Sequence, residues 1–167
     1  MKSWNYNSKL HCFKGKNVIV TGASGSIGCI VVKKLLSNGA NVVGLVHNQK
    51  NLNNYLKDYM KTGQFDYKVI DFESAQKITE IFKEVMISLG GRLDCLICCH
   101  GLFIPGNVTD IQIQDFDKNI NINVRANFHL LSLSVPFLKI SKGNVVMISS
   151  IDAKIVERGE FLHALSK

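Results

Sequence analysis

The segment Thr21-Gly22-Ala23-Ser24-Gly25-Ser26-Ile27-Gly28 constrains this chain more than any other. It continues directly from the apolar run Asn17-Val18-Ile19-Val20-Thr21, and a helical pattern opens inside it at Ser26. A short, continuously apolar run reads as a strand covered on both faces. The glycines after it have separate tasks. Gly22 permits a tight turn off the strand, Gly25 lets backbone approach a ligand closely, and Gly28 lets the helix pack on the sheet. The helix start turns unpaired N–H groups and the positive end of its dipole toward the loop, which suits a phosphate. The spacing is G-x-x-G-x-x-G rather than G-x-G-x-x-G, and the Gly-Lys-Ser/Thr ending of a P-loop is absent.

The rest of the chain repeats this strand-then-helix alternation. Further strands are expected at Asn41–Val46, Asp66–Ile70, Asp94–Cys98 and Gly143–Ser149. Helices are expected at Ser26–Asn38, Gln49–Lys61, Ser74–Leu89 and Ile113–Leu138, with Pro136 kinking or ending the last, and a final one from Glu160 to Lys167. In the first helix Ile27, Ile30, Val31, Lys34 and Leu35 recur at helical spacing. Such alternation predicts an α/β fold, a doubly wound parallel sheet of five strands and Rossmann-like, over residues 14–167. Residues 1–13 read as a polar leader.

Charge and cysteine usage narrow the function. The net charge of +7 comes from scattered lysines with no like-charge run, which reads as a solvated surface and predicts no nucleic-acid partner. No apolar run approaches the roughly 18 residues of a membrane span. The start lacks the apolar stretch of a secretory signal, so an intracellular and cytoplasmic protein is expected, with an organelle as the other option. Five cysteines, an odd count, predict reduced thiols. Cys95-x-x-Cys98-Cys99-His100 has the look of a metal knuckle, but no second ligand pair follows and a strand would scatter the thiols; no metal is expected.

A doubly wound sheet with a glycine loop after its first strand is built for a dinucleotide. The second strand's tip usually carries an acid for a ribose 2′-hydroxyl. Here it reads Val46-His47-Asn48-Gln49-Lys50, without one. His47 and Lys50 could face a 2′-phosphate, so NADP is slightly favoured over NAD.

At this point the residues resemble the short-chain dehydrogenase/reductase family, over about Lys14 to Lys167. Gly22, Ser24, Gly25, Ser26, Ile27 and Gly28 match its cofactor loop, and Asp71 the position whose carboxylate meets the adenine. Cys98-Cys99-His100-Gly101 stands where the family has Asn-Asn-Ala-Gly, keeping only Gly101. Asn123 matches a helix asparagine that supports the proton relay, and Ser150 the serine that polarises the carbonyl. The family's Tyr-x-x-x-Lys falls on His163-Ala164-Leu165-Ser166-Lys167: Lys167 matches, while His163 stands where the proton-carrying tyrosine is expected.

The resemblance implies hydride transfer between NAD(P) and a carbonyl or alcohol. The departures imply impaired activity, with His163 a degenerate position more than a replacement acid. Imidazole is shorter than a phenol, and a neighbouring lysine disfavours its charged form. A non-catalytic structural or binding subunit of a larger assembly is the alternative. The family also continues through two further strands, so the edge of the fifth strand and the last helix, with apolar Phe161, Leu162 and Leu165, are expected to meet a protein partner, unless the chain is a fragment of a longer product.

Overall fold

Five β-rich runs pair side by side in one parallel sheet: β1 Asn17–Thr21, β2 Asn41–Val46, β3 Phe65–Val69, β4 Cys95–Cys98 and β5 Asn144–Met147. The structure, a computed structural model, describes residues 13–49, 54–155 and 157–167. The expected leader therefore lies outside the described residues except for Phe13, and so does Lys50. The spatial order is β3-β2-β1-β4-β5. Val18 is in register with Val42 on one side and Cys95 on the other. β5 pairs with β4 and with no other described strand.

Helices cover both faces, as a doubly wound sheet requires. α1 (Ser26–Ser37) and α2 (Asn54–Lys61) lie on the face that carries Val18, Val20, Val42 and Cys95. α3 (Ala75–Ser88) and α5 (Ala126–Ser141) lie on the face that carries Ile19, Leu45, Leu96 and Cys98. The period-2 alternation of β4 thus sends Cys95 and Cys98 to opposite cores. At the opposite end of the sheet from the glycine loop, the buried Asp94 carboxylate accepts from Lys16 Nζ at 3.0 Å, Arg92 Nη2 at 2.6 Å and the Asn17 N–H at 3.0 Å. Burial alone would raise its pKa, but these donors hold it down to about 2.

Three expectations need correction. The helix expected over Ile113–Leu138 is not continuous. α4 (Ile113–Ile120) passes into a π-turn at Asn121–Arg125, and α5 then runs on to Ser141, past Pro136. The register shift comes where Asn123 reaches sideways into the loop after β4, and not at the proline. Pro136 removes one ladder bond, but Ser134 and Leu138 on either side of it are buried, and that packing carries the helix through. On α1 the buried face is Gly28, Val32, Leu35 and Leu36, leaving Ile27 52% exposed and Ile30 62%. The close packing of Gly28 on the loop turns the helix, rotating Ile27 out. Finally, α6 (Phe161–Leu165) leaves Phe161 and Leu165 exposed but buries Leu162 completely.

Candidate functional site

Strand order reverses between β1 and β4, so the loops leaving their C-terminal ends diverge and open a cleft. The cleft holds about 540 Å³ and is lined by Gly22, Ser24, Gly25, His47, Asp71 and Gly101, with Phe72, His100, Leu102, Lys118 and Ile122 among others. Six residues singled out in the sequence are therefore neighbours here. Ser26, Ile27 and Gly28 form the first turn of α1 just behind them.

The loop is tightly built. Gly22 has φ +62°, and a Cβ there would lie 2.8 Å from the His100 nitrogen. A Cβ on Gly28 would overlap the Gly22 carbonyl. The Gly25 N–H donates to the Gly22 carbonyl at 2.9 Å, closing the turn. No side chain caps the start of α1, whose N-cap is Gly25. Helix-start N–H groups without a side-chain acceptor need some other acceptor, and a phosphate oxygen meets that need.

The floor of the cleft is an unannounced cluster. Thr21, buried at the end of β1, accepts at Oγ from the backbone N–H of Cys99 at 3.1 Å and of His100 at 3.2 Å. The same oxygen lies 2.6 Å from His100 Nδ1, and His100 Nε2 lies 3.0 Å from the Ile122 carbonyl. A carbonyl only accepts, so Nε2 carries the hydrogen. Thr21 then donates to a bare Nδ1, and the imidazole is neutral. Its ring stacks on Phe72 with centroids 4.0 Å apart. Burial pushes its pKa down to about 4. His100 was visible in the sequence only as the end of a knuckle-like cysteine run and as a departure from a motif; its partners Thr21 and Phe72 gave no local signal beyond a hydroxyl ending an apolar run.

Next to the floor, Asn123 ties the β4 loop to the π-turn. Its Oδ1 accepts from the Leu102 N–H at 2.7 Å, and its Nδ2 donates to the Leu102 carbonyl and to Ser166 Oγ, both at 2.9 Å. Lys167 Nζ donates to the Ile148 carbonyl at 3.4 Å and stands over Gly101, where a Cβ would lie 3.1 Å from it. Partial burial lowers the lysine's pKa. Asn123, Gly101 and Lys167 thus share one corner.

Ser150 and His163 meet a residue that the sequence did not flag. Ser150 Oγ donates to Asp152 Oδ2 at 2.8 Å, and His163 Nε2 lies 3.6 Å from the same oxygen. His163 Nδ1 is buried with no hydrogen-bond partner, and the Phe103 ring stands edge-on to the imidazole at 5.4 Å. Nothing about a single aspartate two residues past a serine announces this in sequence.

Among the described residues no group of three or more His, Cys, Asp or Glu side chains could hold a metal ion. Burial raises the Cys98 thiol to about 12 and that of Cys95 to about 11, as expected of thiols in an apolar core. No described helix is long and apolar enough to cross a membrane.

Comparison with known proteins agrees with this fold. The family model described as short chain dehydrogenase matches residues 16–167. A tropinone reductase homolog of Arabidopsis thaliana is 32% identical over 140 residues, covering 83% of this chain and 53% of that protein. An uncharacterized oxidoreductase of Staphylococcus epidermidis is 29% identical over 141 residues, covering 83% of this chain and 59% of its own length. Among solved structures, a double-mutant short-chain dehydrogenase/reductase of Serratia marcescens superposes with TM-score 0.85 at 23% identity, over 93% of this chain and 64% of its own. NAD+-bound xylitol dehydrogenase does so with TM-score 0.84 at 25% identity, over 93% and 60%. The chain therefore spans between half and two thirds of these relatives.

Proposed function

The chain belongs to the short-chain dehydrogenase family, and on that premise we propose that it binds NAD(P), NADP slightly ahead of NAD, and passes hydride between the dinucleotide and a carbonyl or alcohol at an impaired rate. The observation that carries this reading is the closed Gly22–Gly25 turn in front of an uncapped helix start, on the rim of the cleft.

In this reading Gly22, Ser24, Gly25, Ser26, Ile27 and Gly28 cradle the pyrophosphate through backbone N–H groups. Asp71 meets the adenine, and exposed His47 faces a 2′-phosphate. Gly101 leaves room for the Lys167 ammonium, which holds the nicotinamide ribose, and Asn123 keeps the Leu102 loop and Ser166 in place around it. Ser150 and His163 face the reacting oxygen. The dinucleotide, when bound, supplies or accepts the hydride; this chain's residues orient it and carry the proton. Four unpaired cysteines among the described residues favour a reducing compartment, and so the cytoplasm.

A second reading, a non-catalytic subunit, has its own observations. The Ser150 hydroxyl is engaged by Asp152, and a histidine replaces the tyrosine. Among the described residues no strand pairs with the outer side of β5, where Val146 and Met147 are exposed, and Phe128 stands 69% exposed on α5. A protein partner fits that edge.

Calorimetry with NADPH and NADH separates the outcomes. Binding of either at submillimolar concentration supports the cofactor reading; no binding at millimolar concentration ends it. Measurable but slow oxidation of NADPH with a carbonyl panel supports the enzyme, and robust turnover ends both the impairment and the subunit reading. His163→Tyr alone is expected not to restore rapid turnover, because the Ser150 hydroxyl stays bonded to Asp152.

A further inference from the structure

We propose that Asp152 is the positioning residue of the proton-transfer corner: its carboxylate gathers Ser150 and His163 and makes an imidazole–carboxylate pair the proton-carrying unit in place of a phenol. This rests on the reading that Ser150 and His163 face the reacting oxygen.

Asp152 is only 8% exposed, and a buried carboxylate needs protic or cationic partners. Ser150 provides one at 2.8 Å, and its Oγ accepts the Asp152 backbone N–H in return at 3.3 Å. The only cationic group within ion-pair distance among the described residues is His163, at 3.6 Å. The carboxylate stands between serine and imidazole, so His163 is no base for the serine hydroxyl and the trio is not a nucleophilic triad. It is instead an oriented imidazole. Nε2 faces the carboxylate, and Nδ1, the nitrogen left for the substrate in this proposal, is buried without a partner in the protein. Phe103, half exposed on the loop after β4, packs against the ring and screens it from water.

Neighbouring charge supports the pair. Glu160 stands just before α6, and burial together with the Asp152 charge raises its pKa. Lys167 turns its ammonium away, to Gly101 and the Ile148 carbonyl. The ionisable residues of α4, which packs on α6, are Asp115, Asp117 and Lys118; none forms an ion pair with His163, and Lys118 faces Glu73 at 3.9 Å. The imidazole therefore sees Asp152 first. In the oxidative direction the alcohol proton passes to Nδ1 while the hydride leaves with its electron pair for the oxidised dinucleotide, and the imidazolium charge is matched by Asp152. Reduction runs the same proton back.

The test is ¹H–¹⁵N long-range NMR of the histidine side chains in the full chain, with His163 identified from the signal lost in His163→Gln. In the unmodified chain His163 is expected to carry its neutral-state hydrogen on Nε2, the nitrogen that faces Asp152. In Asp152→Asn that preference is expected to weaken. A His163 whose neutral-state hydrogen sits on Nδ1 in the unmodified chain overturns the proposal even if the variant does not fold. The same tautomer ratio with and without the carboxylate overturns it too. NADPH and NADH binding by the unmodified chain is measured in parallel. Its absence would end the cofactor reading while leaving the His163 tautomer to be judged separately.

Discussion

The Thr21 hydroxyl lies 2.6 Å from His100 Nδ1, joining the C-terminal end of β1 to the loop that leaves β4 directly under the cleft. The bond belongs to the neutral imidazole. Protonation would place a second hydrogen against an oxygen that already accepts two backbone N–H groups.

The fold should therefore lose stability in mild acid. The folded pKa of His100 is about 4, below the ordinary 6.5, so the unfolded chain binds the proton between these values. That contribution is complete above about pH 6.5 and is lost as pH falls toward 4, a total on the order of 3 kcal/mol. Asp94, held near 2, acts in a lower window, between about 4 and 2. Urea midpoints measured from pH 7 to 4 should fall for the unmodified chain and stay flatter for His100→Ala. Equal slopes would contradict the neutral assignment.

Gly28→Ala should open the loop. The new methyl meets the Gly22 carbonyl, which is backbone and cannot swing away. A loss of about 2 kcal/mol or more is expected, with NADPH affinity reduced beyond what the stability change explains. Denaturant titration and calorimetry on the same sample check it; unchanged values for both would show that the loop accommodates a side chain.

Lys167→Met should weaken dinucleotide binding by about tenfold or more, the size of one charge-assisted hydrogen bond. The folded protein should lose less than about 1 kcal/mol. Its ammonium is only half-buried and has one long bond to Ile148. Unaltered NADPH affinity would remove Lys167 from the site.

His47→Asp should reverse the cofactor preference. A carboxylate there repels a 2′-phosphate and can accept from a 2′-hydroxyl. The NADPH-to-NADH affinity ratio should fall by about tenfold, roughly 1.4 kcal/mol. A constant ratio would mean that His47 does not face the ribose.

Much of this architecture was legible because its signals are local. β1 reads as a buried strand from five consecutive residues, and the glycine loop follows it without a gap. Ser74, where the third helix is expected to begin, caps α3, its Oγ accepting from the Lys77 N–H at 3.2 Å. Ile78, Phe82 and Val85, spaced four and three residues apart, reach the core as an apolar helix stripe does. On α1 the apolar spacing points about one position out of phase with the buried face, since Ile27 is as apolar as Val32 and only the contact of Gly28 with the loop decides which of them faces the sheet.

The sequence by itself determined the strand–helix alternation, the parallel sheet and the place of the glycine loop, because each follows from periodicity or from a run of adjacent residues. The resemblance to the family also singled out Ser150, His163 and Lys167 as candidates, through their match to its motifs. What only the tertiary structure decided is which of them touch. Thr21 and His100 are 79 residues apart in the chain, and Asn123 and Ser166 43 apart, yet each pair is hydrogen-bonded. Asp152 becomes the common partner of Ser150 and His163 only when α6 folds back over the 3₁₀ turn Ile151–Ala153. A hydrogen bond depends on position in space, and for residues this far apart the sheet order sets that position.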